Sequence, residues 1–253
     1  MFFLAVMVMA FYGCPDDPVE GAGDLELQFE AQFDGQQFFI NEEYTFPSGR
    51  KVRFSQFDFY VSNVSTRLNG DNAGTTDLSE VDFVDFTGSV LNPIDPAESR
   101  VNSINLPIGD YENISFMLGL SEELNAKTPN DSDLGENNPL RKATHYWTDW
   151  NGYIFMKVQG NADFNDDGMI SSDETFIYHT GKNENAQNVS LAADFTIEED
   201  QTTLQTVTID LSEVFFSNGG EERFDMNEIR SVHSDVAVIT TIMEGAAEAI
   251  KMN

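Results

Sequence analysis

Leu25-Glu26-Leu27-Gln28-Phe29-Glu30-Ala31-Gln32-Phe33 puts an apolar side chain at every second position and a polar one between. That period of two places one set of side chains in a core and the other in water, which makes a half-buried strand. Asp34-Gly35 then supplies a turn. Working outward, Gln37–Ile40 and Tyr44–Phe46 read as short strands, and Pro47-Ser48-Gly49 as a turn. Lys51–Val64 is rich in Phe and Val, with a break in period near Ser55-Gln56 that predicts two strands or one bulged strand. Val81–Phe86, Val101–Leu106, Tyr111–Leu118, Tyr153–Val158, Thr175–His179, Asn188–Ile197 and Gln205–Leu211 extend the pattern. Ser121–Arg141 is a long polar excursion, of the kind expected to be functional or mobile. Only the C-terminus changes period. Ile239, Ile242, Met243, Ala246 and Ile250 fall at helical spacing behind a cap at Ser234 or Asp235. The expected fold is all-β: a two-sheet antiparallel β-sandwich with long loops and a C-terminal helix.

The chain has 253 residues, 44 acidic and 13 basic side chains, and a formal net charge of −31. Such a field repels phosphate backbones and argues against nucleic acid as a partner. Phe2–Tyr12 is an uninterrupted apolar run, too short to span a bilayer but suited to a secretory signal. Gly13-Cys14 follows as at a lipoprotein cleavage site, and Pro15-Asp16-Asp17 resembles the acidic tag of Bacteroidota surface lipoproteins. The expected organisation is a signal peptide over 1–13, a tether over 14–23 lipidated at Cys14, and one domain over 24–253. The membrane contact is then the lipid alone, and the location is the outer membrane, on its cell-surface or periplasmic face. With one cysteine in the chain, an internal disulfide is excluded.

Asp163-Phe164-Asn165-Asp166-Asp167-Gly168-Met169-Ile170-Ser171-Ser172-Asp173-Glu174 matches the EF-hand ligand spacing. Asp163, Asn165 and Asp167 supply side-chain oxygens at positions one, three and five. Gly168 permits the turn, Met169 offers its carbonyl, Ser171 can hold a water, and Glu174 closes the sphere. The flanks read as strands rather than helices, so the loop is expected to staple two strands with calcium rather than act as a sensor.

Three histidines, His145, His179 and His233, and two tryptophans, Trp147 and Trp150, are the other chemistry-bearing residues. Unmodified indole has no lone pair for a metal, so residue chemistry alone leaves His145-Tyr146-Trp147-Thr148-Asp149-Trp150 a bare candidate. No Ser-His-Asp order, Cys-His pair or Gly-rich phosphate loop marks an enzyme, and binding without catalysis is expected.

The segment from His145 through Gly152-Tyr153-Ile154-Phe155-Met156-Lys157-Val158-Gln159-Gly160 resembles the signature of the methanobactin-associated periplasmic copper-binding (MbnP-like) family. There a tryptophan precedes a Gly-Tyr-x-Phe-x-Lys-x-x-Gly strand. Thr175–Gly181 is similar to the family's next strand, ending His-x-Gly. Phe54–Val64, Leu106–Gly119, Val207–Leu211 and the ending from His233 into a helix also resemble family segments, in order, over about 24–250. The resemblance implies a β-sandwich that binds copper outside the cytoplasm. It further implies a tryptophan that a di-haem peroxidase-like partner oxidises to kynurenine. Carried over by position, it makes Trp147 the candidate kynurenine and His179 and His233 copper ligands. His145 is a further candidate, where relatives often carry methionine. Trp150 departs from the pattern, and the 163–174 loop reads as an insertion. The alternative is a calcium-stabilised cell-surface adhesion or carbohydrate-binding module, which the acidic surface, aromatic content and calcium-type loop also fit.

Overall fold

A computed structural model describes residues 21–70, 74–87, 98–217 and 219–253. The apolar leader and Cys14 lie outside these. In chain order the strands are β1 (Ala22–Phe33), β2 (Gln36–Gln37), β3 (Glu43–Thr45), β4 (Lys51–Leu68), β5 (Thr75–Asp85), β6 (Glu98–Pro107), β7 (Gly109–Leu118), β8 (Tyr146–Trp147), β9 (Gly152–Ala162), β10 (Thr175–Gly181), β11 (Gln187–Ile197), β12 (Thr202–Asp210), β13 (Ser231–Val232) and β14 (Ile250–Met252). Helix α1 is Glu122–Asn125, α2 is Leu211–Phe215 and α3 is Val236–Ala249.

These form a two-sheet sandwich. One sheet runs β14-β12-β1-β2, with β6 also on β1. The other runs β11-β7-β4-β9-β10-β13, with β3 and β5 on β4 and β8 on β9. Most pairs are antiparallel, as alternation and tight turns favour. Two are parallel: β1 with β12, and β10 with β13. Parallel partners need long crossovers, and neither leaves a mark in a single strand's periodicity.

The alternation of β1 does what its spacing requires. Leu25, Leu27, Phe29, Ala31 and Phe33 are all 3 % exposed or less. Phe29 meets Phe59 and Phe116 of the opposite sheet edge-on, at ring separations of 6.1 and 5.7 Å. The break at Ser55-Gln56 is a bulge within one strand, because the β4–β9 register shifts between Phe54 and Gln56. Beyond it, Phe57–Ser62 is buried on both faces. Phe57 and Phe59 face the sandwich core, while Asp58 and Tyr60 face outward under the segment 121–151, which continues the Ser121–Arg141 excursion up to β9.

That excursion is packed down. Leu124, Leu134 and Leu140 are buried in the core cluster. Tyr60 and Tyr153 donate their hydroxyls to the carbonyls of Pro139 and Leu140 at 3.2 and 2.7 Å. The segment thus forms a lid over the outer face of β4 and β9 rather than a mobile loop. At the C-terminus Asp235 caps α3, accepting from the amides of Ala237 and Val238. The helix packs on β10, β11 and β12, and Ile250 opens β14 instead of extending it. Among the described residues no helix is long and apolar enough to cross a membrane.

Candidate metal centre

The outer face of β9 and β10 carries a row of polar side chains under the lid. The register aligns Asp58 of β4 with Lys157 of β9, and Lys157 with His179 of β10. Because β13 runs parallel to β10, with Ser231 beside Ile177 and Val232 beside Tyr178, the next residue, His233, falls beside His179. The two imidazole rings meet edge to face with centroids 5.0 Å apart. From the lid, Trp147 stacks on His233 at 5.3 Å and 19° and presents an edge to His179 at 5.9 Å. Trp150 lies against Trp147 at 5.6 Å.

Both histidines are oriented through one nitrogen. The Gln159 carboxamide meets His179 Nε2 at 2.8 Å, and the Ser231 hydroxyl meets His233 Nε2 at 3.0 Å. Both Nδ1 atoms are buried and lack any hydrogen-bond partner. A buried polar atom without a partner is costly, and such atoms are rare in folded proteins. The Ser231 hydroxyl oxygen can accept from His233 Nε2–H, which leaves the His233 Nδ1 lone pair free. At His179 the atom facing Nε2 is the Gln159 amide nitrogen, a donor, so the Nδ1 lone pair there is freed when the carboxamide turns over to present its oxygen. An imidazole held at one nitrogen and open at the other is how metal-ligating histidines are prepared. The residues therefore fit a metal that accepts neutral imidazole. Sequence reasoning missed Gln159 and Ser231. Ser231, two places before His233, carried an available signal. Gln159 reaches His179 from the neighbouring strand, 20 positions away, and no local pattern marks it.

His179 is only 9 % exposed. Burial, and then the charges of Lys157, His233 and His145, push its pKa down from 6.5 to about 4. The folded protein therefore holds it neutral where the unfolded chain protonates it. Its contribution to stability is full above pH 6.5 and lost as pH falls towards 4, because the unfolded state binds the extra proton. NMR titration of the metal-free protein should give a His179 midpoint near 4. A midpoint at 6.5 would contradict this environment.

His145 is placed elsewhere, which corrects the ligand reading. Its Nε2 pairs with Asp58 Oδ1 at 2.8 Å, and its Nδ1 lies 3.2 Å from the Thr144 hydroxyl. Its ring meets Tyr60 and Phe83, and neither nitrogen is free. The residue sits in the turn Ala143–His145, not in an extended strand with Trp147.

The signature residues have physical reasons. Lys157 donates to the Thr144 carbonyl at 2.7 Å. Gly160 leaves room for the Arg53 carbonyl, which a Cβ would overlap. A Cβ on Gly181 would stand 2.6 Å from both the Trp150 ring and the Tyr153 carbonyl oxygen. His-x-Gly thus pairs His179 with the gap that admits the second indole.

The loop 163–174 closes the β9–β10 hairpin. Asp163 accepts from the amides of Asp167 and Gly168, Asn165 from Asp167, and Asp167 from Met169. Glu174 reaches back to accept from Phe164 and Asn165 at 3.1 and 2.9 Å. Asp163 and Glu174 are both buried. Ser171 donates its amide to Glu174 at 3.4 Å, and the Met169 side chain is exposed. Among the described residues, no three His, Cys, Asp or Glu side chains are gathered as a ready metal cluster.

Comparison with known proteins agrees with this architecture. MbnP from Methylosinus trichosporium has a similar structure, with a TM-score of 0.51 at 13 % identity, over 76 % of this chain and 77 % of that one. At that identity the likeness is one of fold. No curated protein matches the chain. The MbnP family model matches residues 22–235, from the first strand through the second histidine of the pair to the cap of the last helix, and the chain belongs to the MbnP family.

Proposed function

We propose that this protein is an exported, lipid-anchored copper-binding protein, holding copper through His179 and His233 beneath Trp147 and calcium in the loop 163–174. The observation that carries the copper reading is the pair of buried, unpartnered Nδ1 atoms on rings 5.0 Å apart. Neutral imidazoles suit copper, and at a site of nitrogen donors copper outcompetes the other first-row dications. Bound copper would supply redox and Lewis-acid chemistry. The protein's own part is to fix two imidazoles and to cover them with an aromatic ring.

Trp147 is the residue we assign to kynurenine formation, with a di-haem peroxidase-like protein as partner. Opening the indole would create an amine and a ketone where the ring now stacks on His233. Intact mass of protein from the native host reads that change. Cys14 is the assigned lipidation site, which would place the domain at the outer membrane. The function is binding rather than catalysis. The gathering of both histidines under Trp147 supports copper over the adhesion or glycan-binding alternative. Metal analysis after treatment with a calcium chelator tests the choice. One retained copper is expected, and no copper with glycan binding would overturn it.

Calcium rests on the twelve-residue spacing and on Glu174 turning back towards Asp163. The carboxylates keep lone pairs beyond those their amide partners use. An extracellular structural site of this kind binds at roughly 10⁻⁴–10⁻³ M. Glu174→Gln should lower the melting temperature relative to wild type only when calcium is present, since binding stabilises by linkage. An equal loss in chelator would mean that Glu174 serves only its amide bonds.

A further inference from the structure

We propose that Asp58, His145 and Lys157 are positioning residues that hold Trp147 over the histidine pair. This inference rests on the copper reading for its purpose, but not for its geometry. The three side chains are 2, 4 and 8 % exposed. Such charged groups are rarely buried unless they are paired. Here Asp58 and Lys157 are bonded to the strap that carries the indole, and His145 lies in that strap. Asp58 Oδ1 pairs with His145 Nε2 at 2.8 Å, and Gln56 donates to the other carboxylate oxygen at 2.6 Å. Lys157 Nζ donates to the carbonyl of Thr144 at 2.7 Å. Two bonds from the sheet thus seize two adjacent residues, 144 and 145, in the turn that runs directly into Tyr146–Trp147.

The row Asp58–Lys157–His179 makes this more than local packing. Clamp and ligand stand side by side on one face of three paired strands, so the strap is referenced to the strand that carries His179. Phe83 and Tyr60 wall in the His145 ring at 4.7 and 5.8 Å and leave it no alternative seat. On the far side of Trp147 the strap is fixed again, where Trp150 enters the gap above Gly181. An apolar anchor could supply the same burial. Directional bonds to a carbonyl and to a ring nitrogen set the rotation of the strap as well. That rotation decides whether the Trp147 ring lies flat on His233.

The chain has two tryptophans and both lie in this site, so indole fluorescence, excited at wavelengths where tyrosine does not absorb, reports it. The experiment compares Asp58→Leu, Asp58→Asn, His145→Phe and Lys157→Met with wild type, each checked for folding by its melting transition. Two readouts use metal-free protein: indole emission, and the ring-proton shifts of His233, which the stacked indole displaces. The third is copper affinity by competition, with the number of bound imidazoles read from the copper(II) spectrum. Asp58→Leu, His145→Phe and Lys157→Met should shift the emission and move the His233 resonance towards an unstacked value. They should weaken copper by roughly 10- to 100-fold, the usual cost of an outer-shell loss, and keep both imidazoles bound. Asp58→Asn should hold the stack, because its carbonyl oxygen still accepts from His145. Unchanged emission and His233 shift in folded Lys157→Met and His145→Phe would overturn the proposal, as would loss of an imidazole from the copper spectrum of His145→Phe. If Asp58→Leu does not fold, Lys157→Met and His145→Phe carry the test. If wild type binds no copper, the copper function fails while the metal-free readouts still decide the clamp.

Discussion

His179→Ala and His233→Ala should each abolish tight copper binding while leaving the fold intact. The loss should go well beyond the roughly 10–100-fold that an outer-shell change costs. With two imidazoles in the site, removing either halves its nitrogen donors. The fold should survive because each ring spends only one hydrogen bond, to Gln159 or to Ser231. Truncation also removes a buried Nδ1 that has no partner. His145→Ala should behave differently. It strands Asp58, whose carboxylate is buried with Gln56 as its other partner. The expected cost there is in stability, since leaving a buried charge unpaired is strongly destabilising. Competition titration and thermal melting separate the cases. Full copper affinity in His233→Ala would remove this histidine pair as the copper site.

The two kinds of histidine show where sequence reading stops. The strands were legible because burying one face of a sheet imposes a period of two, and β1 obeys it everywhere but at Gln28, which is buried as well. The bulge was legible as a break in that period. The approach of His233 to His179 follows from β13 joining β10 in parallel, a contact between distant segments that no local pattern encodes. It entered the sequence reading only through family resemblance. Asp58 carried a signal that went unread. It is a lone carboxylate in the apolar run Phe57–Val61, buried on both faces, and such a residue requires a partner. That partner is His145, which resemblance had assigned to the metal. The two are 87 positions apart, so the sequence shows that Asp58 needs a partner but not which residue supplies it. The packing of the lid was not legible because its polar residues face solvent. Its three buried leucines, Leu124, Leu134 and Leu140, fit neither a period of two nor one of 3.6.

Phe54→Ala should be among the most destabilising single changes in the chain. Phe54 is fully buried and lies where the bulge of β4 brings it against five aromatic rings. Phe33, Phe38, Phe46, Phe176 and Phe215 surround it at centroid separations between 5.6 and 6.2 Å. These rings come from β1, from the segments on either side of β3, from β10 and from α2, so one side chain joins both sheets and the helix beneath them. Across the β4–β9 pair its register partner is Gly160, and Gly160 also pairs with Phe176. A glycine cannot close the hole that truncation leaves, and a Cβ there would overlap the Arg53 carbonyl. Neighbouring rings are rigid, and relaxing into the gap would cost them their edge-on contacts with each other. Large-to-small changes of this kind cost about 3–5 kcal/mol, which lowers the melting temperature of a chain this long by roughly 6–20 °C. Phe195, which stacks on Tyr111 at 5.2 Å and is 7 % exposed, gives the comparison. Phe195→Ala should fall less, because its side of the sheet can admit water. Calorimetry on the two variants measures the difference. Equal losses would mean that the ring cluster around Phe54 contributes nothing beyond the area it buries.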